Sequence, residues 1–594
     1  MKKIIELLND ELKAAFSACG YDEKYAKVVV SNRPDLCQYQ CNGCMAAAKE
    51  YKKAPAVIAG EVVEKLADSK AFSKAEAVNP GFINMNLSGE FIADYIKEMG
   101  CHEKFGCDET KKNKTIMLDY GGANVAKPLH VGHLRPAIIG ESLKRICAYN
   151  GYNTVGDVHL GDWGLQMGLI IMELKNRKPE LPYFDESFTG EYPAEAPFTL
   201  AELEDIYPCA SKKSKEDAEF AEAAHQATVM LQKGHRGYTA IWKHIMNISI
   251  ADLKRNYDNL NVSFDVWKGE SDAKPYIEDM LKNFVDKGYA HESQGALVID
   301  VAQETDKKEI PPCIVRKSDG AALYATTDLA TMIEREQLYH PFKYIYTTDK
   351  RQEMHFTQIF RAAKKTGIVP EDTEMDFLGF GTMNGKDGKP FKTRNGDLLR
   401  LEYLIKDVED AVYNKIKENR DVNDAEARAT AKVVGLAAIK YGDLSNQASK
   451  DYIFDIDRFT SFEGDTGPYV LYTIVRIKSI LNKYEQNFVA ENLTIAERMK
   501  DFIAPEGASE TDLCLLLTKF SDVIESAYAE LAPHKICKFI YDVANVFNSF
   551  YHDTKILSEE DEKKRRSYIA LISLTKGILE TCTDLLAIKV PDRM

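Results

Sequence analysis

The 594-residue chain reads as an α/β protein in three parts: a nucleotide-binding domain built on a parallel sheet, a smaller α/β unit before it and an all-α helical bundle after it. Three observations predict this. An apolar run, Thr115 to Leu118, passes through a glycine-containing turn into a helix from about Gly132 to Tyr149, the strand-turn-helix corner of a Rossmann-like fold. Strand-like and helix-like textures then alternate to about residue 395. Beyond about 396 no strand alternation of any length occurs, and a bundle is the economical reading.

Bulk properties set limits on function. Length predicts three to five domains. With 45% hydrophobic and 28% charged residues, the composition is that of a soluble globular protein. A formal net charge of -15 argues against a general nucleic-acid coat, since nonspecific binding rests on phosphate neutralisation by Lys and Arg. It leaves room for local basic tracks serving one RNA. Ile4, Ile5, Leu8, Leu12 and Phe16 recur at helical spacing, interrupted by Glu6, Asp10 and Glu11, so the start is an amphipathic helix and not a signal peptide. No apolar run approaches membrane-spanning length, and a soluble, cytoplasmic protein is expected.

Residues 1–108 form the first unit: the starting helix, a strand at Lys27 to Val30, helices near Met45 to Tyr51 and Gly60 to Ser69, and an alternating strand from Ala77 to Leu87. Of twelve cysteines, only Cys37, Cys41 and Cys44 cluster. They could seed a zinc site with a fourth ligand, or Cys41 and Cys44 a redox pair; reduced thiols are the favoured reading, with no structural metal.

The second unit spans 109–395, with Gly151 to His159 as its second strand and an insertion at about 175–260. There Lys175 to Lys215, rich in Pro, Glu and Lys, breaks the pattern before long helices from Glu216 to Lys254. Phe264 to Ser271 and Ala296 to Val301 return to strand texture. In the last part, 396–594, helices are expected at 403–417, 425–441, 468–484, 511–531, 536–552 and 566–586.

The chemistry concentrates at the corner Asp119 to Arg135. His130 and His133 stand three apart and share one face near a helix start. Gly132, without a Cβ, lets a flat ring or a phosphate approach the backbone. Free N–H groups at the helix start attract anions, and Lys127 adds positive charge. Such a corner suits a nucleoside triphosphate, although a bare His-x-Gly-His is as often two surface or core histidines.

Context extends the motif. His130-Val131-Gly132-His133 resembles the HIGH signature of class I aminoacyl-tRNA synthetases. The longer string Asn124 to Arg135, with His159-Leu160-Gly161-Asp162-Trp163-Gly164-Leu165-Gln166, resembles arginyl-tRNA synthetases, the bacterial type most closely. The resemblance continues through Arg33 to Gly43, through Gly320 to Ala330, and into Gly464 to Tyr469 and Leu585 to Met594, which are similar to a DALR-type anticodon-binding domain from about 441 onward.

The resemblance implies ATP-dependent ligation of L-arginine to its cognate tRNA through an arginyl-adenylate, with Mg2+ accompanying ATP and a monomer expected. It implies that His130, His133 and Gly132 hold ATP. Lys389-Pro390-Phe391-Lys392-Thr393-Arg394 occupies the place of the second signature, KMSKS, but Thr393 stands where a lysine is expected. Lys127 would then supply the missing charge beside Lys389, Lys392 and Arg394. Recognising a guanidinium demands a carboxylate that accepts two parallel hydrogen bonds, and an apolar or aromatic wall for the methylenes. By resemblance these are Asp328 and Tyr324, with Glu270 a second acid, while Gln352, Asn124 and Asp119 hold the α-amino end. Taken alone, Asp328 could as well cap a helix, and the role of His355 stays open. The first unit is expected to touch the outer corner of the tRNA through Tyr39, Gln40 and Asn42, with Arg476 a phosphate contact in the bundle.

From Tyr441 to the end there are 18 Lys and Arg against 25 Asp and Glu, a net of -7, so RNA contact there must be local. Three rivals stay open: a different HIGH-motif nucleotidyltransferase, a synthetase for another amino acid, and a non-catalytic tRNA-binding relative.

Overall fold

In the computed structural model, which describes residues 1–107, 111, 113–318, 322–389, 399–419, 422–488 and 493–594, the amphipathic start becomes the helix Ile4–Ala18. It buries Ile4, Leu8, Leu12 and Phe16 within the first unit, beside an antiparallel sheet. The sheet contains β1 (Val28–Val30), β2 (Tyr39–Cys41), β3 (Phe72–Val78) and β4 (Phe82–Leu87), in the order β1-β2-β4-β3. The single strand expected from Ala77 to Leu87 is instead the turn and second arm of a hairpin. Pro80 has no N–H to give a ladder, so the chain turns there and Val78 pairs with Phe82. Cys41 and Cys44 are buried free thiols in this core, and burial pushes Cys44 up to about 12, which keeps it protonated.

β5 (Thr115–Asp119) and β6 (Asn153–Asp157) pair in parallel. After the inserted helices comes a small antiparallel sheet of β7 (His291–Ser293), β8 (Ala296–Ile299) and β9 (Cys313–Arg316). The chain then returns as β10 (Lys343–Asp349) and β11 (Glu374–Phe380), giving an all-parallel sheet ordered β11-β10-β5-β6. Alternation along the strands divides two cores: Ile116, Leu118 and Ile345 join the side of the helix Leu134–Tyr149, whereas Met117, Tyr344 and Tyr346 join Leu329, Phe356 and Ile359 on the other. All four strands run the same way, so Asp119, Asp157, Asp349 and Phe380 end on one rim.

The insertion is more ordered than its composition suggests. Thr199 and Glu202 form a reciprocal cap that starts the helix Leu200–Glu216, ahead of the helices Ala218–Gln232 and Arg236–Asn259. Conversely, Phe264 to Ser271 makes no strand; it touches the sheet only through single bridges, Asp157 to Val266 and Leu160 to Gly269, before the turn Glu270–Ala273.

Among the described residues the only strand of the C-terminal part is Tyr452–Ile453 (β13), which runs parallel to Met383–Asn384 (β12) of the nucleotide domain. The helix expected over 511–531 is two, Ala508–Leu517 and Phe520–Ala529. Thr518 donates its hydroxyl to the Leu515 carbonyl at 2.8 Å, a local bond that competes with the helical ladder at the break. Two ties, the first of them buried, fasten this part to the nucleotide domain. Arg135 donates Nε–H to Asp443 at 2.9 Å and Nη1–H to the Gly381 carbonyl at 2.6 Å, and Tyr452 donates to the same Asp443 oxygen. Further along the same helix, Arg145 bridges Glu141 and Asp584, both at 2.7 Å.

Beside that second tie lies Lys440, fully buried, its ammonium donating to the Ala587 carbonyl at 2.6 Å. Burial, aided by the Arg145 charge and opposed by Glu141, pulls it from 10.5 down to about 7. A lysine depressed in the folded state penalises folding fully below about pH 7 and ceases to do so above 10.5. Lys440→Met should therefore raise the melting temperature at pH 6, with a gain that shrinks steadily towards pH 10. A gain independent of pH, read by calorimetry, would contradict the buried-charge assignment.

Candidate functional site

The rim of the parallel sheet opens into a cleft of about 1130 Å³. Its floor is tied by one buried guanidinium. Arg335, on the helix Tyr324–Tyr339, donates Nη2–H to both Asp119 and Asp157 at 2.6 Å and Nη1–H to the Tyr346 hydroxyl at 2.9 Å. These three partners sit on β5, β6 and β10. Burial pushes the Asp119 carboxyl up, against the opposing pull of Arg335.

At one end of the cleft lies the histidine corner. The His-x-x-His spacing folds as a capping box made of imidazoles around the turn Val131–His133, and it feeds the helix Leu134–Tyr149. His130 Nδ1 accepts the Gly132 N–H at 3.0 Å, and His133 Nδ1 accepts the His130 N–H at 3.1 Å. The rings lie 3.9 Å apart. A side chain at Gly132 would collide with the His130 ring, its Cβ only 2.8 Å from the ring carbon, so the turn requires glycine. Burial, followed by the His130 and Lys127 charges, drives His133 down to about 3; burial and Lys127 lower His130 too. Both Nδ1 atoms are occupied as acceptors and both rings are neutral, so the protons sit on Nε2. The corner thus offers the cleft two uncharged N–H donors.

Residues 399–401, which come after the basic stretch in the chain, pair with this corner. Val131 donates to the Leu399 carbonyl and Leu401 to the Leu129 carbonyl, each at 3.0 Å. Lys389 is exposed, and Lys392 and Arg394 lie outside the described residues. Lys127 does not line the cleft; its ammonium stands 4.5 Å from the centre of the Tyr207 ring on the inserted helix Leu200–Glu216.

At the other end the cleft is acidic. Asp328, Glu270 and Tyr324 line it together, with Gln352 and Asn124 on its walls. Tyr324 opens its helix, is 74% exposed and lines the cleft. Burial raises Glu270 to about 7; His159 partly opposes this, and the Asp162 and Asp328 charges reinforce it. His355 reaches Asp328 at 2.6 Å. The arrangement can seat a planar cation at one end and an anion beside neutral donors at the other.

Asp119, Asn124, His130, Gly132, His133, Glu270, Tyr324, Asp328 and Gln352 thus meet in one cavity. The expected RNA contacts lie elsewhere. Tyr39, expected as an exposed stacking ring, is 3% exposed: alternation along β2 turns Tyr39 and Cys41 into the core. Gln40, between them, is half-buried and bonds Asn84, and Asn42 is exposed. Arg476 lies against the Tyr472 and Tyr551 rings and bonds Asn548. Sequence reasoning missed Arg335, which follows polar neighbours on its own helix and carries no local signal of burial.

Comparison with known proteins gives concordant matches over the whole chain. Three family models match in order: the arginyl tRNA synthetase N terminal domain over residues 2–87, the class I (R) tRNA synthetase catalytic domain over 96–456, and the DALR anticodon binding domain over 470–594. The chain is 61% identical to an arginine–tRNA ligase of Agathobacter rectalis and 56% identical to one of Alkaliphilus oremlandii, each over the full length of both proteins. In fold it is similar to the arginyl-tRNA synthetase structures of Plasmodium falciparum (TM-score 0.78, 24% identity) and Thermus thermophilus (TM-score 0.76, 21% identity), covering all of each.

Arg335→Met would leave two carboxylates facing each other uncompensated, a loss on the order of 3–5 kcal/mol. Their folded-state values would rise, so acid should relieve the variant: its melting deficit against wild type is expected to be large at pH 8 and smaller at pH 5. A deficit equal at both pH values would remove Arg335 as their counter-ion.

Proposed function

The chain belongs to the arginyl-tRNA synthetases and is an arginine–tRNA ligase of class I, and from that premise we propose roles for the groups in the cleft. In the first step a carboxylate oxygen of L-arginine attacks the α-phosphorus of ATP, the bond to the β-phosphate oxygen breaks, and arginyl-adenylate and pyrophosphate result. In the second, the 2′-hydroxyl of the terminal adenosine of the tRNA attacks the acyl carbon and releases AMP. The protein's work is positioning and charge stabilisation.

His130 and His133 donate their Nε2–H groups to phosphate oxygens as charge grows on them, and Gly132 lets the phosphates close on the backbone. Lys389, Lys392 and Arg394 bring positive charge to the leaving pyrophosphate, joined by Lys127 once it leaves the Tyr207 ring. The arginine guanidinium forks onto Asp328, with Glu270 the second acid and Tyr324 against the methylenes; Asn124, Gln352 and the free oxygen of Asp119 take the α-amino end. The observation that carries this reading is the pairing, in one cleft, of neutral imidazole donors at one end with Asp328 and Glu270 at the other.

Mg2+ enters this reading as part of the ATP substrate. Among the described residues the group nearest to a metal cradle is Asp119, Asp157 and His159, and the Arg335 guanidinium already bridges its two carboxylates, so it does not fit an ion. Gln40, Asn42 and Arg476 are the RNA contacts of this reading, which divides the chain near 108 and 396 and starts the anticodon-binding part at about 441. It takes the protein as a cytoplasmic monomer that activates arginine only with tRNA bound.

Exchange of labelled pyrophosphate into ATP tests the histidines and the tRNA requirement together. It should need both arginine and arginine tRNA, and His133→Ala should slow it by about 10²-fold or more. Exchange undiminished in that variant would remove the histidine from the chemistry, and exchange without tRNA would sink the coupling. Glu270 attracts a guanidinium only when ionised. The KM for arginine should therefore fall by up to about tenfold between pH 6 and pH 8, and Glu270→Gln should flatten that fall. A pH dependence unchanged in Glu270→Gln would exclude it as the second acid.

A further inference from the structure

The contact between His355 and Asp328 has no counterpart in the roles above. His355 stands in the first turn of the helix Glu353–Lys365, and Asp328 on the helix Tyr324–Tyr339; the two helices pack together and both residues line the cleft. The Nε2–Oδ2 distance is 2.6 Å, and the imidazole is held edge-on to Phe356, with ring centres 5.1 Å apart. An ionised carboxylate can only accept, so His355 donates through Nε2–H. That bond holds Oδ2 and leaves Oδ1, with the second lone pair of Oδ2, to accept from a ligand in the cleft that both residues line. An aspartate's terminal torsion is otherwise broad. A bidentate guanidinium needs the carboxylate in one plane, and ordering that plane in advance removes a cost of binding.

We propose that His355 is a positioning residue for arginine: it fixes the plane of the Asp328 carboxylate so that the substrate's guanidinium meets both oxygens, and so sets selectivity against a neutral side chain of the same shape. The proposal rests on Asp328 as the guanidinium partner.

Steady-state aminoacylation by the full-length protein tests it, with KM measured separately for arginine and ATP and with citrulline, the neutral isostere, as competitor. His355→Leu should raise the KM for arginine about tenfold or more, leave the KM for ATP within about twofold, and narrow the preference for arginine over citrulline. His355→Gln, whose amide N–H reaches the same point, should restore most of the affinity. His355→Asn, too short to reach, should behave as Leu does, and it stands in for Leu if that variant fails to fold. An arginine KM within about twofold of wild type in both His355→Leu and His355→Asn overturns the proposal. So does an equal rise in both KM values, or a Gln variant no better than Asn. Asp328→Asn separates the two readings: if it keeps the wild-type arginine KM, the underlying assignment fails, whereas if it loses arginine while His355→Leu does not, only the role of His355 fails.

Discussion

One guanidinium holds the rim of this cleft in register. Arg335 joins Asp119 and Asp157, at the carboxyl ends of their strands, and Tyr346 on the neighbouring strand to the helix that also carries Tyr324 and Asp328. Burying a cation with two carboxylates gains little net stability, because desolvation offsets most of the attraction, but removing one member leaves an uncompensated buried charge. The arrangement therefore specifies geometry more than it adds stability. It sets the distance between the strand that leads into the histidine corner and the helix that presents Asp328, and every role assigned in the cleft depends on that spacing.

The helix Leu134–Tyr149 extends the same logic outward. Its first residues follow the imidazole cap, Arg135 ties it to Asp443 and the Gly381 carbonyl, and Glu141 with Arg145 ties its middle to Asp584. Glu141 also accepts from the Tyr120 hydroxyl and the Ser263 N–H, and Tyr120 lines the cleft. A continuous set of charge-assisted bonds thus runs from the cleft wall to the end of the last helix, in the domain whose family model is named for anticodon binding. The histidines and the C-terminal bundle share one rigid element.

Much of this was legible in the chain itself. Strand-turn-helix texture at 115–149, alternation across 109–395 and helical texture beyond 396 are local patterns, and the structure reproduces the architecture they predict. The histidine spacing was legible as a shared helix face, but it folds as a reciprocal cap, because Nδ1 can take a backbone N–H just as a serine oxygen does. The misses have a common cause. Arg335 finds its partners 216 and 178 residues away, so no window of sequence reveals that its charge is buried. Tyr39 reads as a stacking ring until the register of a three-residue strand turns it inward, and the 77–87 strand is a hairpin because Pro80 outweighs the alternation around it. Asp328, Tyr324, Glu270 and Gln352 entered through family resemblance; spacing alone would have left Asp328 a helix cap.

The most direct test of the cleft as a single two-ended site is a crystal structure with a non-hydrolysable sulfamoyl analogue of arginyl-adenylate. The guanidinium is expected on Asp328, beside Glu270 and Tyr324, with the sulfamoyl group against His130 and His133 and the Arg335 bridge intact. A guanidinium seated away from Asp328, or an Arg335 bridge broken to admit the ligand, would contradict this account.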